Sequence, residues 1–115
     1  MLVRQATLAP IDFDGLNIFD YTANSKLRSS LATVEVPCGS KHAEAWSKRS
    51  DKYYLVIGGQ IQFTLDDKEF VLAAGDFCYV EQGSHFSYRN DGAEPAMLVL
   101  VHTPSFDPDA EIFVE

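Results

Sequence analysis

Turn-forming residues divide this chain into segments too short for a long helix. The pairs Asp14-Gly15 and Asp66-Asp67 each break the sequence, and similar signals recur roughly every ten residues. The segments between them are rich in β-branched and aromatic residues, as in QIQFTL at 60–65, where apolar and polar side chains alternate. Short strands joined by closely spaced turns are typical of an all-β sandwich or barrel.

Alternation and turn signals predict strands along most of the chain. The predicted strands are 16–21, 28–36, 43–46, 52–57, 60–65, 69–72, 76–80, 85–89 and 97–102. The last of them, MLVLVH, is apolar on both faces, and Pro104 marks its end. We therefore expect this strand to lie at the centre of a sheet.

The length of the chain predicts one domain. A chain of 115 residues buries roughly two thirds of the surface that its unfolded form exposes, and a second core would not fit. We divide residues 1–115 into an N-terminal edge segment at 1–27, a barrel core at 28–103 and a C-terminal tail at 104–115. The apolar residues of the tail are expected to dock it onto the barrel.

Composition narrows the classes of partner. The net charge of −8 disfavours nucleic acid, because phosphate binding needs a surface rich in lysine and arginine. No apolar run approaches the roughly 20 residues that cross a bilayer, so no membrane partner is expected. The first residues lack the apolar core of a signal peptide, which predicts a cytoplasmic protein. Cys38 and Cys78 form no zinc-type pattern and are expected to be reduced thiols.

Two stretches framed by glycines carry the most specific pattern. The first runs from Gly39 to Gly59, GSKHAEAWSKRSDKYYLVIGG, and the second from Gly75 to Asn90, GDFCYVEQGSHFSYRN. In glycine spacing they resemble the two signature motifs of small single-domain cupins, and the resemblance covers about residues 28–108. It implies a jelly-roll barrel, open at one end, with a site among the inward side chains. It also implies a homodimer.

The positions that hold a metal ion in cupins carry other residues here. Counted from the motif glycines, the two histidines of the first motif fall on Ala45 and Ser47, its glutamate falls on Lys52, and the histidine of the second motif falls on Phe86. Alanine and phenylalanine offer no donor, and a lysine ammonium repels a cation. The resemblance therefore implies a cupin without a metal or other cofactor.

Strand alternation predicts which side chains line the barrel. Lys52 and Tyr54 should share one face of their strand, and Phe86 and Tyr88 one face of theirs. With Ser47 they form the predicted ligand-binding set, suited to a small anionic or sugar-like molecule. A lysine buried there needs an anionic partner or a lowered pKa.

A shifted alignment of both motifs keeps a metal. It assigns His42, Glu44, Asp51 and His85 as ligands of a divalent ion. A shift of one residue turns a strand side chain to the opposite face, so Asp51 and His85 would point away from the pocket unless a bulge intervened. We keep this metalloenzyme as an alternative to the metal-free barrel.

Three functions follow from these patterns. The first is a metal-free cupin that binds a small organic ligand without chemistry of its own. The second resembles the metal-independent sugar-nucleotide epimerases and isomerases of the superfamily, with a base among His42, His102, Tyr54 and Lys52. The third is the metalloenzyme of the shifted alignment. We place His42 in a polar loop at the barrel mouth and His85 on the outer face, whereas the direction of His102 stays open.

Overall fold

The chain folds into two antiparallel β-sheets that enclose one core. The structure is a computed structural model, and it describes residues 1–114. The strands are β1 (Ile11–Phe13), β2 (Leu16–Asp20), β3 (Ser30–Val36), β4 (Lys41–Ser47), β5 (Asp51–Gly58), β6 (Gln60–Leu65), β7 (Lys68–Ala73), β8 (Phe77–Val80), β9 (Phe86–Arg89), β10 (Ala96–Thr103) and β11 (Glu111–Phe113). Two 3₁₀ turns, Gln5–Thr7 and Pro108–Ala110, complete the described elements. The all-β jelly-roll expectation is confirmed.

The order of the strands shows which of them lie at the centre and which at the edge of each sheet. The larger sheet has the order β1-β2-β3-β10-β5-β8, and the smaller has the order β11-β4-β9-β6-β7. Strand β10 is bonded on one side to β3 and on the other to β5, which confirms the central position predicted from its continuous apolar run. Both ends of the chain supply edge strands.

Alternation along the strands separates the core from the surface. In β5 the side chains of Lys52, Tyr54 and Val56 are buried, while those of Tyr53 and Leu55 on the opposite face are exposed. The same period of two operates in β6 and β9, so the inward faces of both sheets meet in one hydrophobic core. The predicted inward direction of Lys52 and Tyr54 agrees with this arrangement.

The two ends of the chain contribute more structure than the sequence indicated. Strand β1, at 11–13, was not predicted, and it forms a hairpin with β2 at the edge of the larger sheet. The C-terminal tail continues as a strand, because β11 pairs with β4 through Glu111 opposite Ser47 and Phe113 opposite Ala45. Alternation along β11 then turns both Glu111 and Phe113 toward the barrel interior.

A β-bulge in β4 corrects the placement of His42. This residue lies in the strand and not in a polar loop, opposite Tyr88 of β9. The register between β4 and β9 shifts between His42 and Ala45, so an extra residue lies on β4 at this point. His42 and Ala45 therefore face the same side, although strict alternation would place them on opposite sides.

No helix within residues 1–114 has the length and apolarity needed to cross a membrane.

Gly59 offers a test of the packing between the β5–β6 turn and the start of β10. Its φ is +68°, and a Cβ there would lie 2.6 Å from the Pro95 carbonyl oxygen and 2.8 Å from the Ala96 Cα. Gly59→Ala is expected to lower the free energy of unfolding by roughly 3 kcal/mol or more, because backbone strain and a backbone clash add together. Urea denaturation measures the loss.

Gly83→Ala is the matched control. Gly83 has a φ of +88°, but the space around its Cβ position is open. The Gly83→Ala variant should therefore lose only the strain energy, about 1–2 kcal/mol of unfolding free energy. Equal losses for the two variants would contradict the close packing of the turn against Pro95 and Ala96.

Candidate functional site

A cavity of about 310 Å³ lies between the sheets, and residues from both terminal segments line part of it. Its floor comes from adjacent strands of the larger sheet, where Asp20, Ala32, Leu100 and Tyr54 follow one another as cross-strand neighbours. Aromatic side chains of the terminal segments, among them Phe13, form the rim. The volume is at the lower end of the roughly 300–1,000 Å³ found for small-molecule sites.

A buried charge cluster occupies one side of this cavity. Lys52 and His102 are direct neighbours on β5 and β10 and both point inward, which brings the Lys52 Nζ to 2.8 Å from the His102 Nε2. The carboxylate of Glu111 reaches the same ammonium from β11 and forms a salt bridge with it. The side chains of Lys52 and Glu111 are only 3% and 11% exposed, so this ion pair is shielded from solvent.

Hydrogen-bond roles in the cluster follow from the protonation of its members. Burial, and then the neighbouring Lys52 ammonium, lower the pKa of His102 to about 3. His102 is therefore neutral near pH 7, and its Nε2 accepts a hydrogen bond from the Lys52 ammonium. Burial also lowers the pKa of Lys52, and the Glu111 carboxylate opposes that change. With two of its three N–H groups directed at Glu111 and His102, the ammonium has one N–H for a ligand.

His42 approaches the cavity from the smaller sheet. Its ring packs on Phe86, Tyr88 and Phe113, with ring centroids 5.0, 5.2 and 5.7 Å away. The Nδ1 atom lies 2.7 Å from the carbonyl oxygen of Ala43. Because a carbonyl can only accept, Nδ1 carries the proton and Nε2 keeps its lone pair. Burial lowers the pKa of His42, so the ring is an available base near neutral pH.

Two phenols lie beside these histidines. Tyr54 and Tyr88 line the cavity and are almost completely buried, and their rings meet at 5.8 Å in an edge-to-face arrangement. Burial raises the pKa of both phenols above its usual value. Both hydroxyls therefore stay protonated at neutral pH and can donate hydrogen bonds to an oxygen of a ligand.

Three of the five predicted ligand-binding residues line the cavity, and the other two lie outside its lining. Lys52, Tyr54 and Tyr88 line the cavity. Phe86 is buried beneath it, and the Lys52 Nζ lies 5.4 Å from the centre of its ring. The Ser47 hydroxyl accepts hydrogen bonds from two backbone N–H groups of the following loop, at 2.9 and 3.2 Å. Ser47 thus shapes the β4–β5 connection and does not face the ligand space.

The four residues of the shifted metal alignment lie in separate places. His42 faces the cavity, whereas His85 pairs with Glu44 on the outer surface at 2.9 Å and its ring stacks on Trp46. Asp51 accepts a hydrogen bond from the backbone of Gln82. No cluster of three or more potential metal ligands occurs among residues 1–114.

The cavity itself does not fit the metal that the cupin motifs imply. Ala45 and Phe86 stand at two of the four ligand positions and have no donor atom. The Ser47 hydroxyl is engaged with the backbone, and Lys52 places a cation where the ion would lie. A divalent metal would meet repulsion here in place of coordination.

Sequence reasoning missed two carboxylates of the site. Glu111 lies in the tail, where the sequence predicted docking of apolar residues and the structure forms a strand. Asp20 ends β2 at the far side of the cavity floor and carries no motif. The open question about His102 is settled, because its ring points inward and is 6% exposed.

Comparison with known proteins identifies the family. The family model described as "Cupin domain" matches residues 32–102, which is more than half of the chain. The chain belongs to the cupin family. An uncharacterized protein of Methanocaldococcus jannaschii is 29% identical to this cupin over 87 residues, which cover 75% of the chain and 70% of the relative.

Solved structures share the fold at low sequence identity. Pac13, described as a unique nucleoside dehydratase, superposes with a TM-score of 0.87 at 21% identity, covering 100% of this cupin and 91% of Pac13. Further structures of the Streptomyces protein carry a substitution of one histidine or of either of two tyrosines, each with uridine. A predicted oxalate decarboxylase from Thermotoga maritima has a TM-score of 0.81 at 18% identity, with 90% and 99% coverage. These likenesses establish the fold.

The lowered pKa of His102 predicts acid sensitivity. Below about pH 6.5 the unfolded chain protonates this histidine, but the folded protein does so only near pH 3, so stability falls between these values. The His102 contribution should amount to roughly 2 kcal/mol of lost unfolding free energy between pH 7 and pH 5. His102→Gln should remove that part of the loss in urea titrations at the two pH values.

His85→Gln is the control for this measurement, because the His85 side chain is 43% exposed on the outer face. The change that it causes in the stability loss between pH 7 and pH 5 is the background against which the effect of His102→Gln is compared. If the His102→Gln variant loses as much unfolding free energy between pH 7 and pH 5 as wild type, the burial of His102 is contradicted.

The Lys52–Glu111 pair predicts strong energetic coupling. Lys52→Met or Glu111→Gln alone leaves a buried charge without its partner and should cost about 3–5 kcal/mol of unfolding free energy. The double variant should cost clearly less than the sum of the two. Urea denaturation of the four proteins gives the coupling energy.

The Arg89–Glu69 pair is the exposed counterpart, with side chains 47% and 57% accessible. Glu69→Gln should leave stability nearly unchanged. Additive losses at Lys52 and Glu111 would show that the pair is not coupled in the folded protein.

Proposed function

We propose that this cupin is a metal-independent enzyme that binds a nucleoside-like molecule and removes water from it by proton transfer. The observation that carries this proposal is the neutral His42 in one cavity with two protonated phenols and the Lys52 ammonium, because its Nε2 has no hydrogen-bond partner among residues 1–114. A base and several donors around one small space are the groups that elimination of water requires.

The composition of the cavity supports a ligand with a flat ring and hydroxyl groups. Phe13 and Phe113 line the cavity and are partly exposed, with ring centroids 5.8 Å apart, and a nucleobase stacks favourably on aromatic side chains. The Lys52 ammonium is already neutralised by Glu111, which removes the main reason to expect an anionic ligand. Of the anionic and sugar-like classes predicted from the sequence, the cavity favours the second.

The likeness to Pac13 supports the same reading. Pac13 is named a nucleoside dehydratase, and its variants at one histidine and two tyrosines are described with uridine. This cupin brings His42, Tyr54 and Tyr88 to one cavity, so the same three residue types meet inside the same fold. At 21% identity the shared fold alone would not decide the activity. The agreement in residue types is what supports the proposal.

The proposed step is balanced without an oxidant or a metal. His42 Nε2 takes a proton from a carbon next to a carbonyl, because that position makes the C–H bond acidic. The oxygen that gains negative charge accepts hydrogen bonds from the Lys52 ammonium and the phenols. The hydroxyl on the neighbouring carbon then leaves with the proton from His42. One C–H and one C–O bond are replaced by a C=C bond and water, and His42 returns to its neutral form.

His42→Asn tests the base directly. The Asn amide can keep the hydrogen bond to the Ala43 carbonyl that Nδ1 makes, but it has no atom in the place of Nε2. Turnover should fall by about 10²–10⁴-fold while uridine affinity changes little. Water loss is measured by mass spectrometry on nucleosides and on their aldehyde and ketone derivatives, and binding by calorimetry.

Two controls sharpen this experiment. His85→Asn, on the outer face, should keep full activity. A chelator should also leave turnover unchanged. Wild-type protein that binds uridine but removes water from none of these compounds would support a binding module, and loss of turnover on chelation would refute the metal-independent mechanism.

A further inference from the structure

Asp20 is a charged residue of the cavity that the proposed step does not use. It ends β2, and its side chain lines the cavity on the side away from β5. Its cross-strand neighbour is Ala32, followed by Leu100 and then Tyr54. Three strand spacings of about 4.8 Å put the Asp20 and Tyr54 backbones roughly 14 Å apart across the floor. A molecule of nucleoside size can therefore contact both Asp20 and Tyr54.

The orientation of the Asp20 carboxylate is fixed by the residues after β2. Its Oδ1 accepts hydrogen bonds from the Thr22 backbone N–H at 3.0 Å and from the Thr22 hydroxyl at 3.3 Å. The Thr22 hydroxyl oxygen in turn accepts from the Leu31 N–H at 3.1 Å, which ties this corner to β3. One oxygen of Asp20 is thereby engaged with the protein, and the other accepts no hydrogen bond from residues 1–114, which leaves it for a ligand.

The other charges that line the cavity do not balance the negative charge of Asp20. The Lys52 ammonium and the Glu111 carboxylate form a salt bridge, and their charges cancel. His42 and His102 are neutral near pH 7 because burial lowers the pKa of each. Among the described lining residues Asp20 therefore sets the net charge, which is negative. The acidic balance of the whole chain has the same sign.

We propose that Asp20 is a specificity-determining residue for neutral, hydroxyl-bearing ligands. Its free oxygen accepts a hydrogen bond from a sugar hydroxyl, as carboxylates do with ribose in dinucleotide sites, and its charge disfavours a phosphorylated ligand. The neighbouring Ala32 has a small side chain that leaves room for the sugar. This inference rests on the proposed nucleoside ligand, and it assigns nucleosides over nucleotides as the class that enters.

Calorimetry with uridine and uridine 5′-monophosphate tests the proposal on the full chain. Wild type should bind uridine at least about tenfold more tightly than the monophosphate, because like charges repel within a poorly solvated cavity. Asp20→Asn removes the charge but keeps the shape, so the preference should shrink to roughly threefold or less. Asp20→Ala removes the hydroxyl partner as well, and uridine affinity should fall about tenfold.

Asp67→Asn is the charge-matched control. Asp67 is exposed in the β6–β7 turn of the other sheet, and its replacement should leave both affinities unchanged. Unfolding midpoints are measured for all variants, and the nearly isosteric Asp20→Asn protein carries the test if Asp20→Ala does not fold.

The results separate this inference from the proposed function. Wild-type protein that binds no uridine would overturn the nucleoside ligand and the role of Asp20 with it. Uridine binding that is the same in wild type and Asp20→Ala would overturn the role of Asp20 alone. Equal affinity of wild type for uridine and its monophosphate would overturn the proposed selection by charge.

Discussion

The buried Lys52 ammonium is the constraint on which the organisation of this barrel depends. A lysine removed from water is costly unless carboxylates and hydrogen-bond acceptors surround it. Here the central strand supplies His102, and the C-terminal strand supplies Glu111, the carboxylate that balances the charge. The tail is therefore held to the barrel by an ion pair as well as by apolar packing. The attached tail forms one wall of the cavity.

The same ion pair shapes the chemistry that the cavity can perform. With its charge balanced, Lys52 acts as a hydrogen-bond donor toward a ligand and offers little attraction to an anion. Burial keeps the histidines neutral and the phenols protonated, and in the proposed step His42 is the base while the other groups donate hydrogen bonds. The proposed chemistry relies on the placement of side chains, in a cupin whose predicted metal-ligand positions are Ala45, Ser47, Lys52 and Phe86.

Alternation in the sequence predicted the parts of the site that lie on regular strands. Lys52 and Tyr54 on β5, like Phe86 and Tyr88 on β9, point inward because successive strand residues face opposite sides. The same rule placed His85 on the outer face, where its ring stacks on Trp46. The need for a partner to Lys52 also followed from its predicted burial, although the identity of that partner did not.

By itself the sequence determined the jelly-roll class, its glycine frame and the replacement of the metal ligands, because spacing and side-chain chemistry are local properties. Tertiary structure alone decided which residues complete the site. A bulge between His42 and Ala45 turns His42 inward against simple alternation. Asp20 and Glu111 come from opposite ends of the chain, and no local pattern records a contact formed by pairing distant strands. The physical reason is that sheet register and closure are set by long-range packing.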